Sequence, residues 1–262
     1  HTHVAWLFTA GEFLKYAAVG GTTTIVTETL EPYPVAGLAG VLDFLDSLKE
    51  QPIKFFATAP PMVSTSRAAM GIEAKDLEAL LAREEIVGLG ESYWQGVLQN
   101  REVFEPIFAA TQGHGKRLEG HSAGARGGKL QAYAAYGVSS CHEPIKADEV
   151  LDRLRLGIYV MIREGSSEKN LFDLLPLVND FNSHNCSLVT DDRRLARRVR
   201  ALLEASGIVL DDPGQRGAGN GLGDVVVHAR FEAAFAVAPH GMGRHGDNRH
   251  MASALLLHGA NS

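Results

Sequence analysis

Short apolar or β-branched segments alternate with amphipathic helical segments along most of this 262-residue chain. Each strand-like segment is bounded by Gly, Pro or polar residues, which is typical of buried strands. The predicted strands are residues 22–29, 53–60, 86–92, 117–123, 138–143, 157–164 and 186–192. The predicted helices between them are residues 11–19, 35–49, 74–84, 102–112, 129–136, 147–156 and 170–181. This alternation predicts parallel strands joined by helical crossovers.

Seven such strands, with an eighth ending at residues 1–3, favour a closed (β/α)8 TIM-type barrel over an open doubly wound sheet. The open sheet would require a Gly-rich phosphate turn, and Gly88-Leu89-Gly90 runs into Glu91 without the third glycine. We therefore expect an α/β barrel over residues 1–210, incomplete at its N-terminal strand. Residues 211–262 are rich in Gly and His, and we expect an irregular, loosely ordered segment there.

Composition narrows the classes of function. The formal net charge of −6 argues against a nucleic-acid-binding surface. No stretch is long and apolar enough for a membrane span. The only cysteines, Cys141 and Cys186, imply no disulfide framework, so a reducing cytoplasm is expected. A homodimer is compatible with this composition.

Side chains that bind divalent metals stand where the strand-like segments end. Because the carboxyl ends of parallel barrel strands share one rim, these side chains are predicted to meet there. Four imidazoles and two carboxylates suit zinc, iron or manganese better than magnesium or calcium. The predicted ligands are His1, His3, Glu91, His121, His142 and Asp191.

Each of these residues also has a simpler interpretation. A single His after an apolar run is often a packed residue, and Glu91 could cap the next helix. The joint pattern, with every one at the same end of its own strand, favours a two-metal hydrolytic site. Glu143 directly follows His142 and can shuttle a proton at the mouth of the site, or else be a surface acid.

Several motifs closely resemble bacterial adenine deaminases of the amidohydrolase superfamily. They are GHSAG (120–124), SSCHE (139–143), LRLGIYVMIREGSSEKNL (154–171) and TDDR (190–193), with GTTTIV (21–26) and IVGLGE (86–91) in matching order. The resemblance covers roughly residues 1–193, and the 154–171 run is its most specific part. It implies a metal-dependent barrel that hydrolyses the 6-amino group of adenine to hypoxanthine and ammonia.

The resemblance also implies roles for individual residues. One metal ion would be held by His1, His3, Glu91 and Asp191, and a second by Glu91, His121 and His142. The implied metals are manganese or iron, with zinc as an alternative. Asp191 would accept a proton from the metal-activated water, and Glu143 would protonate the purine ring.

The chain departs from the family at rim positions that shape the substrate pocket. Trp6, Tyr93 and Trp94 stand there and could stack on a planar base or simply pack. Arg163 could contact a purine edge, order the ligands, or form a barrel salt bridge. The family's N-terminal β-domain and long C-terminal region have no counterpart, so a fragment is one expectation.

These departures leave the exact substrate open. Another heterocyclic amine, a cyclic amide and a catalytically silent barrel remain as alternatives to adenine.

Overall fold

The protein is described here by a computed structural model that covers residues 2–6, 9–19, 22–164 and 169–189. Two short strands, β8 (Val209–Leu210) and β9 (Ala229–Arg230), are described in addition and pair antiparallel. Two predicted ligands, His1 and Asp191, lie outside the described residues. So do residues 211–262, the predicted C-terminal segment, apart from β9. Near the predicted domain boundary at residue 210, only β8 is described.

In the part of the chain that the structure describes, seven strands form a single sheet in strict chain order, and every neighbouring pair is parallel. They are β1 (Thr24–Thr27), β2 (Lys54–Ala59), β3 (Ile86–Tyr93), β4 (Arg117–His121), β5 (Ser140–Cys141), β6 (Tyr159–Arg163) and β7 (Cys186–Val189). Consecutive parallel strands with helical crossovers are the arrangement of a (β/α)8 barrel. The prediction of an incomplete TIM-type barrel is confirmed.

Eight helices are found among the described residues, between or beside these strands. They are α1 (Ala10–Val19), α2 (Pro32–Leu48), α3 (Ala74–Leu81), α4 (Trp94–Gln99), α5 (Arg101–Gly113), α6 (Gly127–Ala134), α7 (Ala147–Arg155) and α8 (Leu171–Leu174). Single 3-10 turns are found at Thr65–Arg67, Leu175–Leu177 and Ser183–Asn185. None of the described helices is both long and apolar enough to cross a bilayer.

The structure differs from the sequence predictions at several element boundaries. α4 was not predicted, and β5 is only two residues long where six were expected. Thr2 and His3 form no strand, although the carbonyl of Thr2 accepts a hydrogen bond from the Glu28 N–H just beyond β1. The helical pattern of α2 is interrupted at Gly37, whose φ of 59° is open to glycine at little cost.

Apolar side chains on the outer face of the sheet pack beneath the helices. Leu89 of β3 and Leu118 of β4 lie in one buried cluster with Leu80 of α3 and Phe104 of α5. Because side chains alternate across a strand, the neighbours of these residues face the barrel interior. Glu119 and His121, two residues apart on β4, therefore both lie on its inner face.

A β-bulge interrupts β3 at the point where the site is built. Leu89 pairs with Leu118 and Ser92 pairs with Gly120, so β3 carries one residue more than β4 over this interval. A bulge turns a side chain out of the regular alternation. Here it lies between Leu89 and Ser92, the interval that contains Glu91.

The buried hydroxyl of Tyr133 on α6 ties this bulge to the end of β4. It donates a hydrogen bond to the carbonyl of Ser92 and accepts one from the backbone N–H of His121, at 3.2 Å. Removing the Tyr133 hydroxyl would therefore take one hydrogen bond from the Ser92 carbonyl and one from the His121 N–H.

We therefore expect Tyr133→Phe to lower the free energy of unfolding by about 1–3 kcal/mol, the cost of leaving buried polar groups unpaired. Urea denaturation measures it. The matched control is Tyr136→Phe, because the Tyr136 hydroxyl bonds the exposed Glu105 carboxylate, and its effect should stay within about 0.5 kcal/mol. Equal effects of the two substitutions would contradict this role.

Candidate metal centre

Four side chains from three neighbouring strands meet at the carboxyl rim of the sheet. Their ligand atoms all lie within 4.8 Å of one another, and each is a nitrogen or oxygen that binds transition metals. Glu91 lies within β3, His121 ends β4, and the other two residues follow β5 directly. The four are Glu91, His121, His142 and Glu143. We call this group the rim cluster.

One oxygen of Glu91 is the centre of the rim cluster. Its Oε1 lies 2.8 Å from Nε2 of His142, 3.6 Å from Nδ1 of His121 and 3.9 Å from Nε2 of His3. Glu91 is buried and stands inside a strand, so it does not cap the following helix. This position suits a carboxylate that is shared between ligands.

His121 presents its Nδ1 to the cluster. That nitrogen lies 3.6 Å from Oε1 of Glu143, and it is buried without a hydrogen-bond partner among the described residues. The ring of Tyr93 lies over the imidazole, with ring centroids 4.3 Å apart. Burial, followed by the charges of Glu91 and Glu143, raises the pKa of the Tyr93 hydroxyl to about 12. Tyr93 therefore stays neutral beside the cluster.

Glu143 is held from two sides. Its Oε1 lies 3.1 Å from Nε2 of His142 and 3.1 Å from Nη1 of Arg163, while Nη2 of Arg163 donates to Oε2 at 3.3 Å. Burial raises the pKa of Glu143, but the hydrogen bond to His142 and the charges of His142, His121 and Arg163 outweigh it. The pKa is lowered to about 2.

This shift predicts a loss of stability of the metal-free protein at acid pH. A glutamate titrates near 4.5 in the unfolded chain, so the ionised Glu143 stabilises the fold above that pH. Its contribution, about 3 kcal/mol at most, should disappear as the pH falls from about 4.5 to about 2. Urea unfolding of the native chain and Glu143→Gln measures it. Their stability difference should narrow across that window, and a constant difference would contradict the shift.

His3 joins the rim from the segment beside β1. Its Nδ1 lies 2.5 Å from Oε1 of Glu31, which leaves Nε2 directed toward Glu91. A carboxylate on one imidazole nitrogen fixes the tautomer and makes the other nitrogen a better ligand. Trp6 is 69% exposed, and its ring is 6.1 Å from that of His3.

The sequence predictions did not single out the carboxylates behind the cluster. Oε1 of Glu119 lies 3.8 Å from Nδ1 of His142, and Glu31 bonds His3. Glu28 is buried under Gly90, where a Cβ would come within 2.0 Å of its Oε2. For Glu119 a signal existed, since it stands two residues before His121 and so on the same face of the strand.

The remaining predicted site residues are placed as follows. Arg163 is paired with Glu143. Trp94 begins α4 and packs against buried apolar residues, and its indole N–H donates to the carbonyl of Ala123 at 2.8 Å. Those contacts are the ones expected of a packing residue. His1 and Asp191 lie outside the described residues.

The donors of the rim cluster fit a transition-metal ion. Two imidazole nitrogens and two carboxylate oxygens are suited to zinc, iron or manganese. Metal–ligand bonds of about 2.0–2.2 Å place ligands on opposite sides of an ion about 4.4 Å apart, close to the 4.8 Å spread found here. The buried Nδ1 of His121, which has no hydrogen-bond partner among the described residues, is a suitable ligand for such an ion.

No protein-family model matches the chain. Comparison with curated proteins finds adenine deaminase 2 of Carboxydothermus hydrogenoformans, 37% identical over 198 residues, or 74% of this chain and 34% of the relative. Adenine deaminase of Archaeoglobus fulgidus is 38% identical over 207 residues, 76% of this chain and 35% of the relative. That of Bacillus pumilus is 34% identical over 200 residues, covering 74% and 35%.

The chain thus spans about a third of the length of the curated relatives it matches. The aligned residues make up about three-quarters of this chain. Bacterial and archaeal relatives, all named adenine deaminase, match it at comparable identity. Over its matched residues, this chain belongs to the adenine deaminase family.

Proposed function

We propose that this protein is a metal-dependent hydrolase that removes the 6-amino group of adenine, or of a close analogue, and releases ammonia. The product from adenine is hypoxanthine. The observation that carries the proposal is the convergence of Glu91, His121, His142 and Glu143 within 4.8 Å. The relatives named adenine deaminase support the choice of reaction.

In the proposed centre, Glu91 would be a ligand of both of two divalent cations. One ion would be held by His1, His3, Glu91 and Asp191, and the other by Glu91, His121 and His142. The close approach of Glu91 Oε1 to three imidazoles supports this division. Manganese or iron is the proposed metal, and zinc is the alternative. When bound, such cations lower the pKa of a coordinated water toward neutrality.

Glu143 is the proposed proton shuttle. As an ionised carboxylate, Glu143 would accept one of the two protons of the attacking water and pass it to a purine ring nitrogen. C6 would gain the water oxygen, the C6–N bond would break, and the amino group would leave as ammonia with the other water proton. Arg163 holds both oxygens of Glu143 and is proposed to orient this carboxylate. Asp191 is proposed to take the first proton from the water.

Aromatic side chains near the rim cluster are proposed to hold the purine. Tyr93 lies against His121, and Trp6 is exposed beside His3, so both rings stand at the mouth of the site. A planar base stacks on such rings. Trp94 is proposed to be a packing residue and not a purine contact, because its indole N–H is hydrogen-bonded to the carbonyl of Ala123.

A cytoplasmic location is proposed, since buried Cys141 and Cys186 are both free thiols.

A screen for ammonia release tests the proposal. The purified chain would be incubated with adenine, other aminopurines and cyclic amides, with Mn²⁺ or Fe²⁺ supplied under reducing conditions. Ammonia and hypoxanthine from adenine are the expected products. Ring opening of a cyclic amide without ammonia would replace the proposal by the amidohydrolase alternative. Tight metal binding below one ion per chain, with no turnover, would favour a catalytically silent barrel.

A further inference from the structure

Arg153 on α7 is completely buried and is not part of the rim cluster. Burying a guanidinium is costly unless its N–H groups find acceptors. Its Nη1 donates to the carbonyl of Glu149 within the same helix at 2.9 Å. The other hydrogen bonds leave the helix and run to the loop that follows β4.

That loop carries the residue next to His121. Nε of Arg153 donates to Oγ of Ser122 at 3.0 Å, and Nη2 donates to the carbonyls of Ser122 at 2.6 Å and Ala125 at 3.4 Å. The loop turns at Gly124, whose φ is +71°. A planar guanidinium with several donors in fixed directions can hold these acceptors at once, and a lysine ammonium lacks that fork.

The same network continues to the end of β5. Oγ of Ser122 lies 2.9 Å from Sγ of Cys141, and because this oxygen accepts from Arg153 its own hydrogen is free for the sulfur. Sγ of Cys141 also accepts the backbone N–H of Glu143 at 3.4 Å. Cys141 directly precedes His142, so the ends of β4 and β5, two of the three strands that bear the cluster, are joined through one chain of hydrogen bonds.

We propose that Arg153 is a positioning residue that fixes the ends of β4 and β5 relative to each other. Through Ser122 and Cys141 it sets the spacing among His121, His142 and Glu143. The inference rests on the proposed function in taking these residues as the metal and proton-transfer groups. Its structural half, the fixing of the two strand ends, stands independently of any metal.

Hydrogen exchange of the metal-free protein tests the structural half. Arg153→Lys keeps the charge and removes the fork, and Ser122→Ala removes the link while leaving Arg153 in place. We expect exchange of the amides of His121, Ala125 and Glu143 to be faster by about tenfold or more in both variants. The control Arg155→Lys alters an exposed arginine of the same helix and should change none of them.

Mn²⁺ titration of the same variants, followed by electron paramagnetic resonance, tests the functional half. We expect Arg153→Lys and Ser122→Ala to bind Mn²⁺ about 10- to 100-fold more weakly, the usual effect of losing support behind metal ligands. A core variant, Leu77→Ala, controls for general loss of stability, because Leu77 is a buried residue of α3 that takes no part in the hydrogen bonds of Arg153, Ser122 and Cys141. Its Mn²⁺ affinity should be unchanged.

The two proposals fail in distinguishable ways. If the native chain binds no Mn²⁺, the proposed metal centre is wrong, and the exchange data alone decide whether Arg153 fixes the strand ends. If native protein binds Mn²⁺ but both network variants bind it equally well, Arg153 does not position the cluster. Faster exchange spread evenly over remote core amides would also overturn the inference, since it would show a general structural role.

Discussion

Replacing Glu91 by glutamine is expected to remove metal binding and with it the proposed deaminase activity. Glutamine keeps the size of the side chain, but an amide is a poor ligand compared with a carboxylate and cannot be shared between two cations. Supporting residues behind metal ligands typically contribute 10- to 100-fold to affinity, so loss of the shared ligand should exceed about 100-fold. Metal content after dialysis and Mn²⁺ titration measure it.

Glu91→Gln also removes the negative charge at the centre of the cluster. The carboxylate of Glu91 lies close to the imidazoles of His142, His121 and His3, and those imidazoles remain in the variant without that charge. The matched control is Glu105→Gln, an exposed glutamate of α5 that pairs with Arg101. Native metal content in Glu91→Gln would contradict the assignment of Glu91 as the shared ligand.

Glu143→Gln is expected to lose turnover while keeping its metal. Removal of a general acid or base typically lowers the rate by about 100- to 10,000-fold, and glutamine can neither accept nor deliver the proton. The measurements are kcat for ammonia release from adenine and metal content of the same preparation. Loss of activity with full metal content would separate the role of Glu143 from that of the ligands.

Arg163 provides the matched control for this shuttle. Since it holds Glu143 through both oxygens, Arg163→Lys should lower kcat less than Glu143→Gln does and leave the metal bound. Unchanged turnover in Glu143→Gln would remove Glu143 from the mechanism. Loss of metal in that variant would instead make Glu143 a ligand, as its place in the rim cluster also allows.

The architecture was predictable because it repeats. Alternating apolar and amphipathic segments specify parallel strands with helical crossovers, and the ends of such strands share a rim. That rule alone was enough to expect Glu91, His121 and His142 together, and their ligand atoms lie within 4.8 Å. α4 escaped prediction because the helix begins directly where β3 ends, without a turn signal between Tyr93 and Trp94.

The contacts that refine the site were not predictable from periodicity. The bulge that places Glu91 is an irregularity of pairing between β3 and β4 and has no marker in the pattern of apolar residues. Pairing of Arg163 with Glu143, and of Glu31 with His3, joins residues at least 20 positions apart. Arg153 looked like an ordinary charged residue of an amphipathic helix, and only its burial distinguishes it.

A crystal structure of the chain grown with Mn²⁺, with data measured at the manganese absorption edge, tests the proposed metal centre directly. We expect an anomalous peak at the carboxyl rim, bound by Glu91, His121 and His142. Bond lengths should be about 2.0–2.3 Å. A map without a peak at that rim, or with manganese bound only elsewhere, would contradict the metal centre and the deaminase mechanism built on it.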